Sequence, residues 1–440
     1  MNTLALDRRH TVIPSLLFII MIALTVSSDL FLVFNVGGFA LRFPQLITII
    51  LAAWWICSTL QVGVIKIPLG GLYLILWSLV ILATIPNTTF LTRSLGYAFW
   101  LILNILLIFA VVYFVNTENK ARTLYRWYLY SFVAVSLFGI IQFMLPIVGL
   151  PAPYITQWWT DGIPRVNGFS YEPSYYATYL ITGWVMVFYL MFDARSRVFS
   201  KRTIFVFLSI MTLALLLSSS RMGILVMGVW FGRYGLLFIK GIITNKVHVK
   251  HFLIVAVASF LGIGLVGGLV LSGDTTLLAG TGLGGTPAHS VDIRSTDLED
   301  TINVIKQNPI YGVSLGGVAP AIGATYGLNI TDQEMAKEYE GLAVFVEVLA
   351  ASGVIGFIPF ALYIFTIIYR PFRRAAFIQN LAQKDMLRSM TYALMCLLLI
   401  LQLNQNILRP YLWFHIACLC AIYAVAKGGG GAGDATKKTA

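Results

Sequence analysis

The sequence predicts an all-α, polytopic membrane protein of about twelve transmembrane helices, with a large periplasmic loop between helices 9 and 10. Three observations carry that expectation. Of the 440 residues, 58% are hydrophobic and only 11% are charged, and the mean hydropathy is +0.84, far from the balance of a soluble domain. Apolar runs of about 20 residues recur, the length a helix needs to cross a bilayer. Alternating segments of about 10 residues, the mark of a membrane barrel, do not recur.

Taken in order, the spans run over roughly 13–34, 41–60, 67–86, 96–116, 127–148, 174–193, 203–219, 222–240, 252–273, 342–368, 389–405 and 409–426. The first apolar run follows Arg8 and Arg9 without a small-residue cleavage site, so it reads as a retained helix. The pair over 203–240 is so closely spaced that one interrupted helix is the alternative. Domain organisation follows: one transmembrane domain over 1–427, then a glycine-rich disordered tail over 428–440.

Charge orients the spans. With the N-terminus in the cytoplasm, the basic clusters at 120–126, 195–202, 240–250 and 370–388 and the basic tail all fall inside. The other side keeps only Arg42, Arg93, Arg165, Arg221, Arg294, Lys306, Lys337 and Arg409, with Arg233 inside a span. A net charge of +12 is thereby explained by orientation, with membrane lipids and no nucleic acid as the partner. Cys57, Cys396, Cys418 and Cys420 lie in apolar runs, without the spacings or histidine partners of a disulfide framework or a zinc site.

The segments 149–173 and 274–341 on the outer side are expected to form a site. The first is rich in aromatics, with Tyr154, Trp158 and Trp159 suited to the headgroup interface. In the second, residues 273–290 are flexible by composition. Thr296 and Glu299 then read as a capping box, and Leu298, Ile302 and Ile305 as the apolar stripe of a short helix ended by Pro309. Arg294 would sit just ahead of that helix, where free N–H groups favour an anion.

Among candidate residues, Arg221 follows Ser218-Ser219-Ser220 in a connection too short to be a solvated loop. It reads either as an arginine snorkelling to headgroups or as part of a diphosphate clamp, since guanidinium forks bind phosphate oxygens in pairs. Glu172, before Pro173, either complements a helix dipole, pairs with Arg165, or orients an arginine or sugar hydroxyl. Glu340, beside Tyr339, is a solvated loop carboxylate or a general base. His289 is the outer histidine, whereas His415 reads as a hydrogen-bonded core residue. The chain has no Walker A loop, no HExxH and no G-x-S-x-G, so ATP-driven transport, metalloprotease and hydrolase chemistry have no motif.

Three segments carry a family resemblance: RVNGFSYEPSYYATYL (165–180), LLLSSSRMGIL (215–225) and DIRSTDLEDTINVIKQNPIYGVSLGG (292–317). In order and spacing they resemble the O-antigen polymerase and O-antigen ligase superfamily of bacterial envelope glycosyltransferases. The resemblance covers about the middle half of the chain. It implies metal-independent, inverting transfer of a glycan from undecaprenyl diphosphate to an acceptor hydroxyl at the periplasmic face of the inner membrane, without a cofactor. Arg221 and Arg294 would then hold the diphosphate, Arg165 and Glu172 would shape the cavity, and a chain-length regulator protein would be a partner. Ligases of this family carry a histidine near the start of the helix after the large loop. Here YEGLAVFVEVLAASGVIG (339–356) keeps Gly353 and Gly356 but has Leu342 near that place. The expectation is therefore a Wzy-type polymerase of lipopolysaccharide or exopolysaccharide repeat units, with Glu340 as base and Arg93 outside the clamp. The rivals are a ligase acting on lipid A-core and, from another class, a secondary transporter or lipid-linked oligosaccharide flippase. A transporter would put ionisable residues at midplane and show repeated halves.

Overall fold

The computed structural model describes the backbone of residues 3–36, 39–160, 163–195, 198–257, 259, 287–403 and 407–428, and the side chains of 14–34, 40–158, 163–195, 198–257, 259, 295–403 and 407–428. Its regular structure is helical apart from two short antiparallel hairpins. In these, β1 (Val33–Val36) pairs with β2 (Phe39–Arg42), and β3 (Trp158–Thr160) with β4 (Ile163–Pro164).

Eight described helices are long and apolar enough to cross a membrane: α2 (Phe43–Val62), α4 (Leu91–Phe114), α5 (Glu118–Ile147), α6 (Pro173–Phe192), α7 (Lys201–Ser218), α8 (Arg221–Ile243), α12 (Val344–Phe377) and α14 (Pro410–Gly428). The architecture is thus all-α and multi-pass. The remaining expected spans differ for separate reasons. In α1 (Thr3–Thr25) the side chains ahead of Pro14 lie outside the described set, and α3 (Gly71–Ala83) with its following 3-10 turn ends at Asn87. The chain is helical over 249–257, but most of the span expected at 252–273 lies outside the described residues. In α13 (Leu381–Ile400) the first half carries Lys384, Asp385 and Arg388.

Local chemistry sets the helix limits. Pro44 and Pro173 stand in the first turns of α2 and α6, where a missing N–H costs nothing. Ser200, Asp332 and Asn380 accept N–H bonds at the starts of α7, α11 (Gln333–Glu338) and α13. Ser219 ends α7 in the left-handed region, with φ of 51°. Residues 203–240 are accordingly two helices, and Arg221 begins the second.

The chain divides into two compact units. One comprises Phe132–Ala194 and Phe199–Asp292, the other Met1–Ser131, Arg195–Val198 and Ile293–Ala440. In the first, α6 packs against both α7 and α8 and is buried along nearly its whole length. At its C-terminal end Asp193 joins Arg233, Tyr234 and Lys250. Arg233 thus has a carboxylate partner within its own unit.

In the second unit α4 packs on α14 and α2, and α3 on α12. Its large loop contains the part of α9 (Pro287–Gln307) from Ile293 on, then α10 (Val318–Thr325) and α11. Two sequence expectations are corrected here. Helix α9 begins at Pro287, so Arg294 lies within the helix and Thr296 is no cap; proline at the first position opens the helix a full two turns earlier. The buried face also runs through Thr301 and Val304, while Ile302 is exposed. Thr301 Oγ1 accepts the Leu342 N–H at 3.3 Å, which draws that polar face inward.

Helix α12 is broken at Gly353, where φ is 58°. Residues 309–314 fill the break: Val313 and Ser314 donate N–H bonds to the carbonyls of Ala350 and Ala351, while Val354 and Ile355 donate to Pro309 and Ile310. The backbone groups freed by the break are satisfied by chain rather than left bare in an apolar setting. A Cβ on Gly353 would fall on the Ile310 carbonyl, and one on Gly316 on the backbone of Ser94 in α4. These glycines let the PIYGVSLGG segment lie against two helices.

Candidate functional site

In the first unit, the segment before α6 is built by backbone capture. Gln142 of α5 donates to the carbonyls of Pro153 and Gly168, at 2.7 and 2.9 Å, and accepts the Gly168 N–H at 2.8 Å. Asn167 donates to the carbonyls of Tyr154 and Ser170. Gly168, with φ of 57°, and Gly139 leave room for the Tyr176 ring, which is buried. A segment held this way presents Arg165 and Glu172 from fixed backbone.

Arg165 is half-buried and donates from Nη1 to Gln157 Oε1 at 2.8 Å; its Nε is buried without a hydrogen bond. Burial holds its guanidinium below the ordinary value. The positive charge of Arg221 acts in the same direction, and the carboxylate of Glu172 opposes both. Arg165 therefore lies within reach of the charges of Arg221 and Glu172. Arg221 is exposed at the start of α8, and Glu172 is exposed with Ser174 Oγ donating to it at 2.9 Å. Guanidinium groups gathered near one another bind phosphate-type anions through paired hydrogen bonds. Tyr154 and Trp158 are exposed in the same unit. The Trp159 side chain lies outside the described set.

In the second unit, Glu340 lies between α11 and α12. Arg93 donates from Nη2 to Glu340 Oε1 at 2.9 Å, and Tyr97 Oη donates to the same oxygen at 3.3 Å. Arg93 also bonds Gln333 Oε1 at 3.0 Å and Tyr97 Oη at 2.8 Å. Glu340 is therefore neither a plain solvated carboxylate nor an isolated one. Arg93, expected to lie outside the clamp, is buried against Glu340. The missed signal was Arg93 and Tyr97 at i and i+4 in the first turns of a span, one face of a helix.

Tyr339 turns its ring into the packing of the loop, against Ala319, Ile330 and Ala336, with Tyr326 at 6.1 Å between ring centroids. Tyr326 Oη donates to Asp300 at 2.7 Å, and this bond raises its hydroxyl above the ordinary value. His289 and Arg294 lie on the backbone of α9, and their side chains fall outside the described set. His415 is a core residue: it is buried, with Nε2 at 2.9 Å from the Met390 carbonyl.

A further ionic group joins three helices of this unit. Asp29 binds Arg42 at 2.9 Å and stands 3.9 Å from Arg409, with Asp29 and Arg409 buried. It ties the end of α1 to the starts of α2 and α14. Among the described residues, no group of three or more His, Cys, Asp or Glu side chains is placed to hold a metal ion.

In comparisons with known proteins, no family model matches the chain and no curated protein matches it.

Proposed function

We propose that the protein is a membrane glycosyltransferase that joins undecaprenyl-diphosphate-linked oligosaccharide units into a longer glycan, at the periplasmic face of a bacterial inner membrane. The observation that carries this reading is that Arg165 lies within reach of the charges of Arg221 and Glu172, which stand at the starts of two apolar helices long enough to cross a membrane. A lipid-linked diphosphate combines an anion for such a pair with a chain that belongs in the bilayer. The sequence resemblance to O-antigen polymerases lies over the same residues.

In the proposed reaction the acceptor hydroxyl oxygen attacks the anomeric carbon of the donor. The bond from that carbon to the diphosphate breaks, and its electron pair leaves with undecaprenyl diphosphate. Arg165 and Arg221 stabilise the charge that develops there; such electrostatic stabilisation is worth roughly 3–4 kcal/mol per well-placed donor. The hydroxyl proton is assigned separately to Glu340, on the contacts of its own unit with Arg93 and Tyr97. A chain of repeat units is favoured over transfer to lipid A-core because 339–356 offers Glu340 but no histidine for activating an acceptor.

The test is binding of inorganic diphosphate and of a synthetic undecaprenyl-diphosphate oligosaccharide to purified protein. Arg165→Ala and Arg221→Ala are expected to weaken both. Unchanged affinity in both variants contradicts the reading.

A further inference from the structure

Arg93 and Glu340 are 247 positions apart in sequence and 2.9 Å apart in space. Arg93 stands in the first turn of an apolar span, with its side chain 4% exposed, whereas that of Glu340 is 21% exposed. A guanidinium at such a place costs several kcal/mol unless its partners are well placed. Its partners are Gln333, Tyr97 and Glu340, and its Cζ also lies 4.9 Å from the centre of the Tyr97 ring. Both donors to Glu340 converge on Oε1, and neither bonds Oε2.

The backbone beside Glu340 is held as firmly. Ala343 has φ of 66°, a conformation that a residue with a Cβ keeps only where its surroundings impose it. Those surroundings are bonds from the N–H groups of Leu342, Val344 and Phe345 to Thr301 Oγ1, the Leu401 carbonyl and Gln402 Oε1. One carboxylate oxygen fixed by a buried cation, beside a strained turn held by three backbone N–H bonds, is more than loop packing requires.

We infer that Arg93 is a positioning residue for Glu340: with Tyr97 it anchors Oε1 so that Oε2 receives the proton of the acceptor hydroxyl. This role rests on the glycosyl-transfer reading above. As the new carbon–oxygen bond forms and the diphosphate leaves with its electron pair, the hydroxyl proton passes to Oε2. Arg93 touches neither substrate in this scheme.

The test is a double-mutant cycle on the full-length protein in lipid nanodiscs, with synthetic undecaprenyl-diphosphate oligosaccharide as donor and acceptor. Arg93→Gln is expected to lower kcat by about 100-fold, the scale of a misplaced catalytic group, with donor KM little changed. Arg93→Lys restores part of that loss, and in the Glu340→Gln background Arg93→Gln costs nothing further. An equal loss in both backgrounds, a rise in KM at constant kcat, or a lysine variant no better than glutamine overturns the role. Should Arg93→Gln not fold, Tyr97→Phe carries the test. It keeps the guanidinium, and its expected drop of about fivefold in kcat disappears in the Glu340→Gln background; no drop, or the same drop in both, overturns the role. Absence of transfer by the wild-type protein removes the functional reading itself, whereas wild-type transfer with additive losses removes only the role of Arg93.

Discussion

Arg165, in the segment before α6, is held below its ordinary value first by burial and then by the positive charge of Arg221 at the head of α8. Glu172 offsets part of that repulsion. Like charges gathered at the end of apolar helices raise the free energy of the empty protein and lower it when an anion binds. Each charge-assisted bond to such an anion is worth about 1.5–3 kcal/mol. Arg165→Ala and Arg221→Ala should therefore each weaken diphosphate binding by about 10- to 100-fold, with a salt dependence that falls in the variants. Isothermal titration at two ionic strengths checks both.

Glu340 separates binding from chemistry. As the proposed proton acceptor it contributes to turnover and not to diphosphate binding. Glu340→Gln is expected to lower kcat by about 100-fold or more with the donor affinity of the wild type. Single-turnover kinetics beside equilibrium binding distinguishes this from a variant that fails to bind donor.

The interruption of α12 gives a stability prediction. Gly353 and Gly327 both have positive φ, at 58° and 73°, but a Cβ at Gly353 meets the Ile310 carbonyl while one at Gly327 meets nothing within 4 Å. Gly327→Ala should cost about 1–2 kcal/mol from backbone strain alone. Gly353→Ala should cost about 1–3 kcal/mol more, from displacement of the 309–314 segment. Thermal unfolding in detergent, followed by intrinsic fluorescence, compares the two.

Asp193 gives a pH prediction. Burial raises its carboxyl, but hydrogen bonds from Tyr234, Lys250 and Arg233 outweigh this and hold it below its ordinary value of 3.8. The folded protein then binds fewer protons than the unfolded chain in the window below about pH 4. The contribution of Asp193 to stability is present above that window and is lost as pH falls through the folded value. Asp193→Asn should flatten the acid limb of the plot of Tm against pH and leave its slope near neutrality unchanged.

Much of this was legible in the sequence because a bilayer leaves few choices. Spans with uniform apolar composition, such as α4, α12 and α14, stood where the runs lay. The short connection Ser218-Ser219-Ser220 put Arg221 at a helix start, and RVNGFSYEP put Arg165 and Glu172 ahead of α6. What did not show was contact at long range. Neither Arg93 nor Glu340 carries any local sign of the other. Likewise, nothing local in PIYGVSLGG shows that the segment fills the break in α12. The rotated face of α9 has the same cause: Thr301 is buried because it bonds a backbone N–H 41 positions away, which no helical periodicity encodes.

The central claim is glycan transfer from a lipid-linked diphosphate. It is tested by reconstituting the purified protein with a synthetic undecaprenyl-diphosphate oligosaccharide, followed by gel analysis of the lipid-linked products. The account predicts a ladder of lengthening glycans that disappears in Arg221→Ala. No product with this acceptor or with lipid A-core, together with movement of the lipid-linked sugar across the vesicle bilayer, would contradict it.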